Sequence, residues 1–126
     1  MVARASGLCS RGQGARRVWS DSKGAIWVAE WNSGNLSRYE PKSNKWSAWK
    51  APTEGAQVYA VYVDDEDKVW LTDWGANALV KFDPATEKFE AFPFPHETAN
   101  VRQIHGRPGQ VLVAESGPRI VSIFRR

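Results

Sequence analysis

Two segments of 21 residues in this chain are similar in sequence, and this repeat constrains the fold more than any other feature of the sequence. Residues 26–46 read IWVAEWNSGNLSRYEPKSNKW, and residues 69–89 read VWLTDWGANALVKFDPATEKF. The copies align without a gap at an offset of 43 residues, so that Trp27 matches Trp70 and Glu30 matches Asp73. Repeats of about 20 to 50 residues are typical of solenoids, propellers and similar arrays.

Each copy is divided into short runs in which apolar and polar residues alternate, and this period of two predicts β-strands. Turn-forming segments rich in Gly, Asn, Asp and Pro separate the runs. The predicted strands are 18–21, 26–30, 35–39 and 45–49 in the first copy, and 59–64, 69–73, 78–82 and 88–92 in the second. A third, degraded copy supplies 101–105, 111–115 and 120–124. Four short antiparallel strands in about 40 residues is the size of one β-propeller blade.

We therefore predict an all-β chain, a β-propeller fragment of about three four-stranded antiparallel blades with the last one incomplete. The blades are expected at residues 15–53, 54–96 and 97–126, after a basic tail at residues 1–14. Propellers close with about four to eight blades. Three blades leave two sheet faces and a strand edge uncovered, so we expect either missing blades of a longer propeller or self-association.

The composition excludes several other classes of protein. A single cysteine, Cys9, rules out an internal disulfide framework and a cysteine-based zinc site. No apolar run approaches the roughly 20 residues of a membrane span, and the first residues lack the apolar core of a signal peptide. The cellular compartment is left open. Residues 1–20 contain four arginines and no acid, whereas residues 21–126 contain 13 basic and 14 acidic side chains. The basic excess lies in the leading segment, and we do not expect a nucleic-acid partner.

A repeated acid stands at the end of the second strand of each blade, as Glu30, Asp73 and Glu115. Because the first strand begins beside the end of the second, these acids should share one face near the propeller axis. The predicted substrate-binding residues on that face are Trp31, Trp74, Asp73, Arg17, Tyr59 and Arg102. The three carboxylates are candidates to hold a hard cation such as Mg²⁺ or to take a proton from substrate. Alternatively, each acid accepts hydrogen bonds from its own turn or pairs with an arginine of the next blade.

The two histidines are expected on opposite faces. His96 lies in the loop that leads to the third blade, on the same face as the acids, and is therefore the better proton carrier. His105 lies at the far end of its strand, beside the GRPG turn. The predicted catalytic residues are Glu115, Glu30 and His96.

Three segments carry a family resemblance: GAIWVAEWNSGNLSRYEP, KVWLTDWGANALVKFDPATEKFEAFP and VRQIHGRPGQVLVAES. They resemble the C-terminal part of streptogramin B lyases, also called virginiamycin B lyases, over residues 14–124. The resemblance implies a seven-bladed propeller that linearises cyclic depsipeptide antibiotics, and so confers antibiotic resistance, by Mg²⁺-assisted elimination at the ester. It also implies that a histidine acts with a glutamate.

By position, Glu115 and Glu30 match the glutamate of the family, and Asp73 is a shorter variant. The histidine of the family, expected about fourteen residues before the acid, has no match here. In the three copies its place is occupied by Arg16–Arg17, Tyr59 and Val101–Arg102.

Two functions therefore stay open. In the first, the chain is a piece of a lyase-like propeller whose proton transfer falls to His96, Tyr59 or a carboxylate, and we expect it to be inactive by itself. In the second, it is a non-catalytic scaffold, similar to NHL-like or gluconolactonase-like propellers, that binds a ligand or a protein. A small molecule or a cyclic peptide is the expected ligand.

Overall fold

The computed structural model describes residues 13–125, and these residues form eleven β-strands and no helix. The first sheet contains β1 (Ala15–Ser20), β2 (Ile26–Glu30), β3 (Asn35–Glu40) and β4 (Lys45–Lys50). The second contains β5 (Val58–Val63), β6 (Val69–Asp73), β7 (Ala78–Asp83) and β8 (Lys88–Pro93). The third contains β9 (Ile104–Arg107), β10 (Gln110–Glu115) and β11 (Ile120–Arg125).

Each sheet is an antiparallel meander in which consecutive strands are neighbours. The first strands of the sheets lie side by side, because β5 contacts β1 on one side and β9 on the other. Three meanders arranged around adjacent first strands are three blades of a β-propeller, and they do not close into a ring. The prediction of an all-β propeller fragment with an incomplete third blade is therefore confirmed.

The core consists of two apolar layers, one on each face of the middle blade. Alternate residues of a strand point to opposite faces, so β6 contributes Leu71 to one layer and Trp70 to the other. The layer against the first blade also contains Trp27, Leu36 and Phe82. The middle blade thus holds both neighbours by burial of apolar surface, as expected for a repeat protein stabilised by contacts between adjacent repeats.

An aspartate closes the turn between the first two strands in each of the first two blades. Asp64 accepts hydrogen bonds from the backbone N–H groups of Glu66 and Lys68 at 2.9 Å each. Its other oxygen accepts from Trp70 Nε1 at 2.9 Å. Asp21 makes the corresponding three bonds in the first blade, ending on Trp27 Nε1 at 3.0 Å. These bonds fix a buried indole to the turn, which explains why the repeat keeps an aspartate six residues before each tryptophan.

The turn after the second strand needs the left-handed backbone region in every blade. Gly34, Asn77 and Arg119 occupy the same repeat position, with φ angles of 73°, 51° and 64°. Glycine fits this position best, both because φ is positive and because a Cβ at residue 34 would lie 2.7 Å from the carbonyl oxygen of Ala56. Asn77 is the next most tolerant residue type there, whereas arginine is strained.

The third blade begins later than the sequence predicts. We expected a strand at 101–105, but β9 is Ile104–Arg107. The reason is that the preceding carbonyl groups are used elsewhere. Val101 O accepts from Thr72 Oγ1 at 3.0 Å and from Trp74 Nε1 at 2.8 Å, and Ala99 O accepts from Gly117 N at 3.2 Å. Val101 is therefore bonded to the second blade through side chains, while Ala99 bonds to the β10–β11 turn, and neither residue extends the third sheet.

The leading segment is partly outside the described residues. We predicted a basic tail at residues 1–14, and residues 1–12 of it lie outside the described residues. Gln13 and Gly14 are not a tail, because their carbonyl groups accept hydrogen bonds from Asn32 N and Trp31 N at 3.0 and 2.8 Å. Among residues 13–125 we find no helix with the length and apolarity that crossing a membrane requires.

Candidate functional site

The candidate site is the face of the blades at which β2, β6 and β10 end, which we call the upper face. The first strands begin at the same face, because they pair antiparallel with these strands. Ala15 is opposite Glu30, and Val58 is opposite Asp73. At both points the register shifts, between Ala15 and Arg17 and between Val58 and Val61. A β-bulge redirects side chains, and bulges are common beside binding sites.

The two glutamates at the strand ends are buried and turned into their own blades. Glu30 is fully buried, accepts from Ser33 Oγ at 2.7 Å and also bonds to the hydroxyl of Ser37. Glu115 is 1% exposed and accepts from the hydroxyl of Ser122. In both blades the serine comes seven residues after the glutamate. The carboxylates thus link the turn or the third strand to the second. The bond from Ser33 to Glu30 is a turn contact of the kind that the structural alternative describes.

Asp73 follows a shorter version of the same pattern. Its Oδ1 accepts from the backbone N–H groups of Gln57 at 3.0 Å, Gly75 at 2.9 Å and Ala76 at 3.3 Å. Its Oδ2 is buried without a hydrogen-bond partner among the described residues. Seven residues later stands Val80, where the other two blades have serine. The shorter side chain therefore bonds to the backbone of its turn.

The three acids do not fit the magnesium site that we expected. Among residues 13–125, no group of three or more His, Cys, Asp or Glu side chains is placed to hold a metal ion. The physical reason is that Glu30 and Asp73 direct their bonded oxygens to donors of their own blades, while Glu115 faces Ser122 and His96. A hard cation needs several oxygen ligands that converge on one point.

Three aromatic side chains do converge on the upper face, and we call them the aromatic triad: Trp31, Tyr59 and Trp74. Tyr59 stacks on Trp74, with ring centroids 5.0 Å apart and an angle of 17° between the planes. Trp31 meets both rings edge-on, at 5.7 Å from Tyr59 and 5.3 Å from Trp74. All three are half-buried, so part of the triad faces solvent. These are three of the residues that we predicted to bind substrate.

Three arginines lie over the triad. Arg16 Cζ is 5.4 Å from the ring centroid of Trp31, and Arg17 Cζ is 5.4 Å from that of Tyr59. Arg102 Cζ is 5.6 Å from the ring centroid of Trp74. Guanidinium groups at such distances are attracted to the ring face. Arg17 Nε also donates to the backbone carbonyl of Arg102 at 3.4 Å, which places these two arginines side by side.

The predicted substrate-binding residues thus separate into two groups. Trp31, Trp74, Tyr59, Arg17 and Arg102 assemble on the upper face, as a set of side chains contributed by all three blades. Asp73 does not join them, because its carboxylate is buried under its own turn. Whether the assembled residues bind a substrate stays a prediction.

The predicted proton carrier, His96, lies against one of the predicted catalytic acids. His96 Nδ1 is 3.4 Å from Glu115 Oε1, and the histidine side chain is 42% exposed while the glutamate side chain is fully buried. The backbone carbonyl of His96 accepts from Asn77 Nδ2 at 2.9 Å, which holds the loop to the second blade. His105 lies within β9, next to the turn at the opposite face.

Two parts of this site were not among the predicted substrate-binding residues. Arg16 belongs to the arginine group because the bulge in β1 adds it to the upper face. A shallow pocket of about 410 Å³ opens beside Trp31 between the first two blades, and Lys50 lines its outer end. The sequence could have indicated Lys50, because β4 and β2 both end at the upper face and Lys50 is the last residue of β4.

The comparisons with known proteins agree with this architecture. No protein-family model matches the chain, and no curated protein matches it in sequence. A streptogramin B lyase structure superposes with a TM-score of 0.80 at 19% identity, covering 94% of this chain and 43% of that one.

The blade fold is that of the streptogramin B lyases.

A catalytically inactive histidine-to-alanine variant of virginiamycin B lyase from Staphylococcus aureus, solved with quinupristin, gives a TM-score of 0.79 at 15% identity, covering 94% of this chain and 43% of that chain. A selenomethionine-substituted form of virginiamycin B lyase from Staphylococcus aureus gives 0.76 at 17% identity, covering 90% and 42%. The chain therefore spans less than half the length of these streptogramin B lyases. At such identities the likeness establishes the fold, and it leaves activity open.

Proposed function

We propose that this chain is part of a streptogramin B lyase-like propeller whose upper face binds a cyclic depsipeptide or a similar ester and opens it by elimination. The observation that carries the proposal is the aromatic triad, built from two blades and flanked by the His96–Glu115 pair at the third. One of the similar structures was solved with quinupristin, which makes that compound the natural first ligand to test.

Within this proposal, His96 is the base. In an elimination at an ester, a proton leaves the carbon next to a carbonyl, a C=C bond forms, the C–O bond breaks and a carboxylate departs. Glu115 is buried beside His96 Nδ1 and would hold a proton on that nitrogen. Nε2 would then be left to accept the substrate proton. A general base of this kind contributes about 10²–10⁴-fold in rate.

The remaining residues of the upper face position the substrate in this proposal. The triad offers apolar ring surface for the aromatic groups of a cyclic peptide. The guanidinium groups of Arg17 and Arg102 are suited to bind the carboxylate as it leaves, because their N–H groups donate charge-assisted hydrogen bonds to carboxylate oxygens. No metal enters this scheme.

A second function, ligand binding without catalysis, is favoured by a specific observation. The positions about fourteen residues before the three acids hold Arg16, Tyr59 and Val101, and none of them is the histidine that the family resemblance implies. Both oxygens of Glu30 and Oδ1 of Asp73, moreover, accept internal hydrogen bonds. In this alternative the same face binds the ligand and releases it unchanged.

The test uses the full chain in excess over quinupristin, with binding followed by titration calorimetry and products followed by mass spectrometry. Sequence reasoning expected no turnover, but the His96–Glu115 contact leads us to expect binding with slow formation of the linear dehydro product. His96→Gln should remove the product and keep the binding. The matched control is His105→Gln, on the opposite face, which should change neither.

Each other result has a definite meaning. Binding without product would support the non-catalytic alternative. A linear product that has gained water would indicate hydrolysis and overturn the elimination. Absence of binding would overturn the assignment of the upper face to such ligands.

A further inference from the structure

We propose that the upper face selects anionic ligands, specifically those in which a carboxylate or a phosphate is attached to a planar ring. This inference rests on the proposed function only in placing the ligand on the upper face, and it does not depend on the elimination. Arg17 and Arg102 would bind the anion, and the aromatic triad would contact the ring.

The first argument is the absence of a counter-charge. Among residues 13–125, no carboxylate lies within ion-pair distance of Arg16, Arg17 or Arg102. Arg38 is different. It also lies over tryptophan rings, with Cζ at 5.4 Å from Trp27 and 5.2 Å from Trp49, but it forms a 3.2 Å ion pair with Glu40. Within residues 13–125, the three arginines of the upper face lack such a partner.

The second argument is that the acids closest in sequence cannot supply the missing charge. Glu30 precedes Trp31, and Asp73 precedes Trp74, yet both carboxylates are buried and bonded to their own blades. Three cations therefore share a surface on which the neighbouring acids are turned away.

The third argument is geometric. Each guanidinium group is held over a ring face, and Arg17 is also bonded to the backbone of Arg102. Ordering of this kind presents the remaining N–H groups as planar forks, which match the two oxygens of a carboxylate or a phosphate. The half-buried rings beneath supply the apolar contact that a planar ligand needs. Charge and ring surface occur together at one place, and this combination defines the ligand class.

The experiment uses four probes on the full ¹⁵N-labelled chain. They are 1-naphthoate, 1-naphthyl phosphate, the uncharged 1-naphthylmethanol and inorganic phosphate. The indole N–H resonances report contact with Trp31 and Trp74, and titration gives the dissociation constants. We expect both anionic naphthyl probes to bind about tenfold or more tightly than the uncharged one, with shifts at these two indoles. The stronger of the two anionic probes identifies the preferred group. Inorganic phosphate should bind more weakly than naphthyl phosphate, because it lacks the ring.

Variants then separate this site from general attraction. The double variant Arg17→Gln/Arg102→Gln should weaken the anionic probes by about tenfold or more and leave 1-naphthylmethanol unchanged. The matched control is Arg38→Gln, an arginine over tryptophans that lies outside the upper face, and it should leave all constants unchanged. Circular dichroism of each variant verifies that the sheets are intact. Raising the salt from about 50 mM to about 300 mM should weaken only the anionic probes.

Three results would overturn the inference: equal affinity for charged and uncharged probes, an equal loss in Arg38→Gln, or no binding of any probe. These outcomes are distinct from failure of the proposed function. Selective binding of 1-naphthoate with no dehydro product from quinupristin leaves this inference standing and removes the elimination. Dehydro product without anion selectivity does the reverse.

Discussion

Replacing Asp64 with alanine removes three hydrogen bonds that close the β5–β6 turn. The sequence places this residue in the acidic run Asp64–Asp67, which looks like a solvated turn. The structure buries its side chain instead, leaving the residue 5% exposed, and aims Oδ2 at the indole of Trp70, which is 3% exposed. The substitution therefore tests whether this carboxylate is a structural part of the second blade.

The magnitude follows from what each donor meets after the change. The indole N–H of Trp70 is left without its acceptor in a buried place, which costs about 1–3 kcal/mol. The backbone N–H groups of Glu66 and Lys68 lie at the turn, where water can replace the carboxylate, at a cost of about 0.5–1 kcal/mol each. We expect a loss of about 2–5 kcal/mol in the free energy of unfolding, which is a large part of the stability of a small domain.

The measurement is urea unfolding of the parent chain and variants, followed by far-ultraviolet circular dichroism. A double-mutant cycle with Trp70→Phe isolates the indole bond, and the coupling energy should be about 1–2 kcal/mol. Asp64→Asn serves as the matched control. Asparagine keeps one oxygen that can accept the two bonds of the turn, and it loses the bond to the indole because its NH₂ group is a donor. The loss of stability in Asp64→Asn should therefore be smaller than that in Asp64→Ala.

The reasoning is refuted if Asp64→Ala changes the free energy of unfolding by less than about 0.5 kcal/mol, the value typical of an exposed surface site. A large loss with no coupling to Trp70 would also refute it, since the indole bond would then contribute nothing.

Three further predictions follow from the turns and the buried acids. Hydrogen bonds from Ser22 hold the pKa of Asp67 below its usual value of 3.8; the stability from this contact is therefore present above that pH and lost as the pH falls through the lower folded value. Between about pH 5 and pH 2, Ser22→Ala should lose less stability than the parent chain does. Arg119→Gly should raise the thermal midpoint, by relieving a φ of 64° that costs about 1 kcal/mol in arginine; a lower midpoint would contradict this. Ser37→Ala should lower the free energy of unfolding by about 1–3 kcal/mol in urea, because Glu30 loses a donor in a buried place, and an unchanged midpoint would count against it.

Much of the fold is predictable because the repeat and its turns are local. The strands Ile26–Glu30 and Val69–Asp73 have the predicted bounds, since a tight turn with a left-handed residue ends each of them. The predicted start of β9 was wrong, because the start depends on hydrogen bonds from Thr72 and Trp74, which belong to another blade. Such contacts have no signature in the apolar period.

The site was predictable in its membership more than in its orientation. The period of two predicts that the second strand ends between Glu30 and Trp31. It also predicts that the ends of the second strands share one face. It does not tell which of two adjacent residues points outward where the partner strand has a bulge. The serine seven residues after each glutamate was the readable signal. Glu30 has Ser37 and Glu115 has Ser122, and only the structure shows that these pairs are in contact.

The division of labour between two consecutive residues has a consequence for how such a protein can change over evolutionary time. In each blade the acid at the end of the second strand forms hydrogen bonds inside the fold, and the residue after it lies on the upper face as Trp31, Trp74 or Ser116. Duplication of a blade copies both residues together, so a new blade carries its internal bonds and one position on the upper face. Substitution at that position alters the surface offered to ligands. Where the residue also bonds to the next blade, as Trp74 does to the carbonyl of Val101, the same substitution alters the contact between blades.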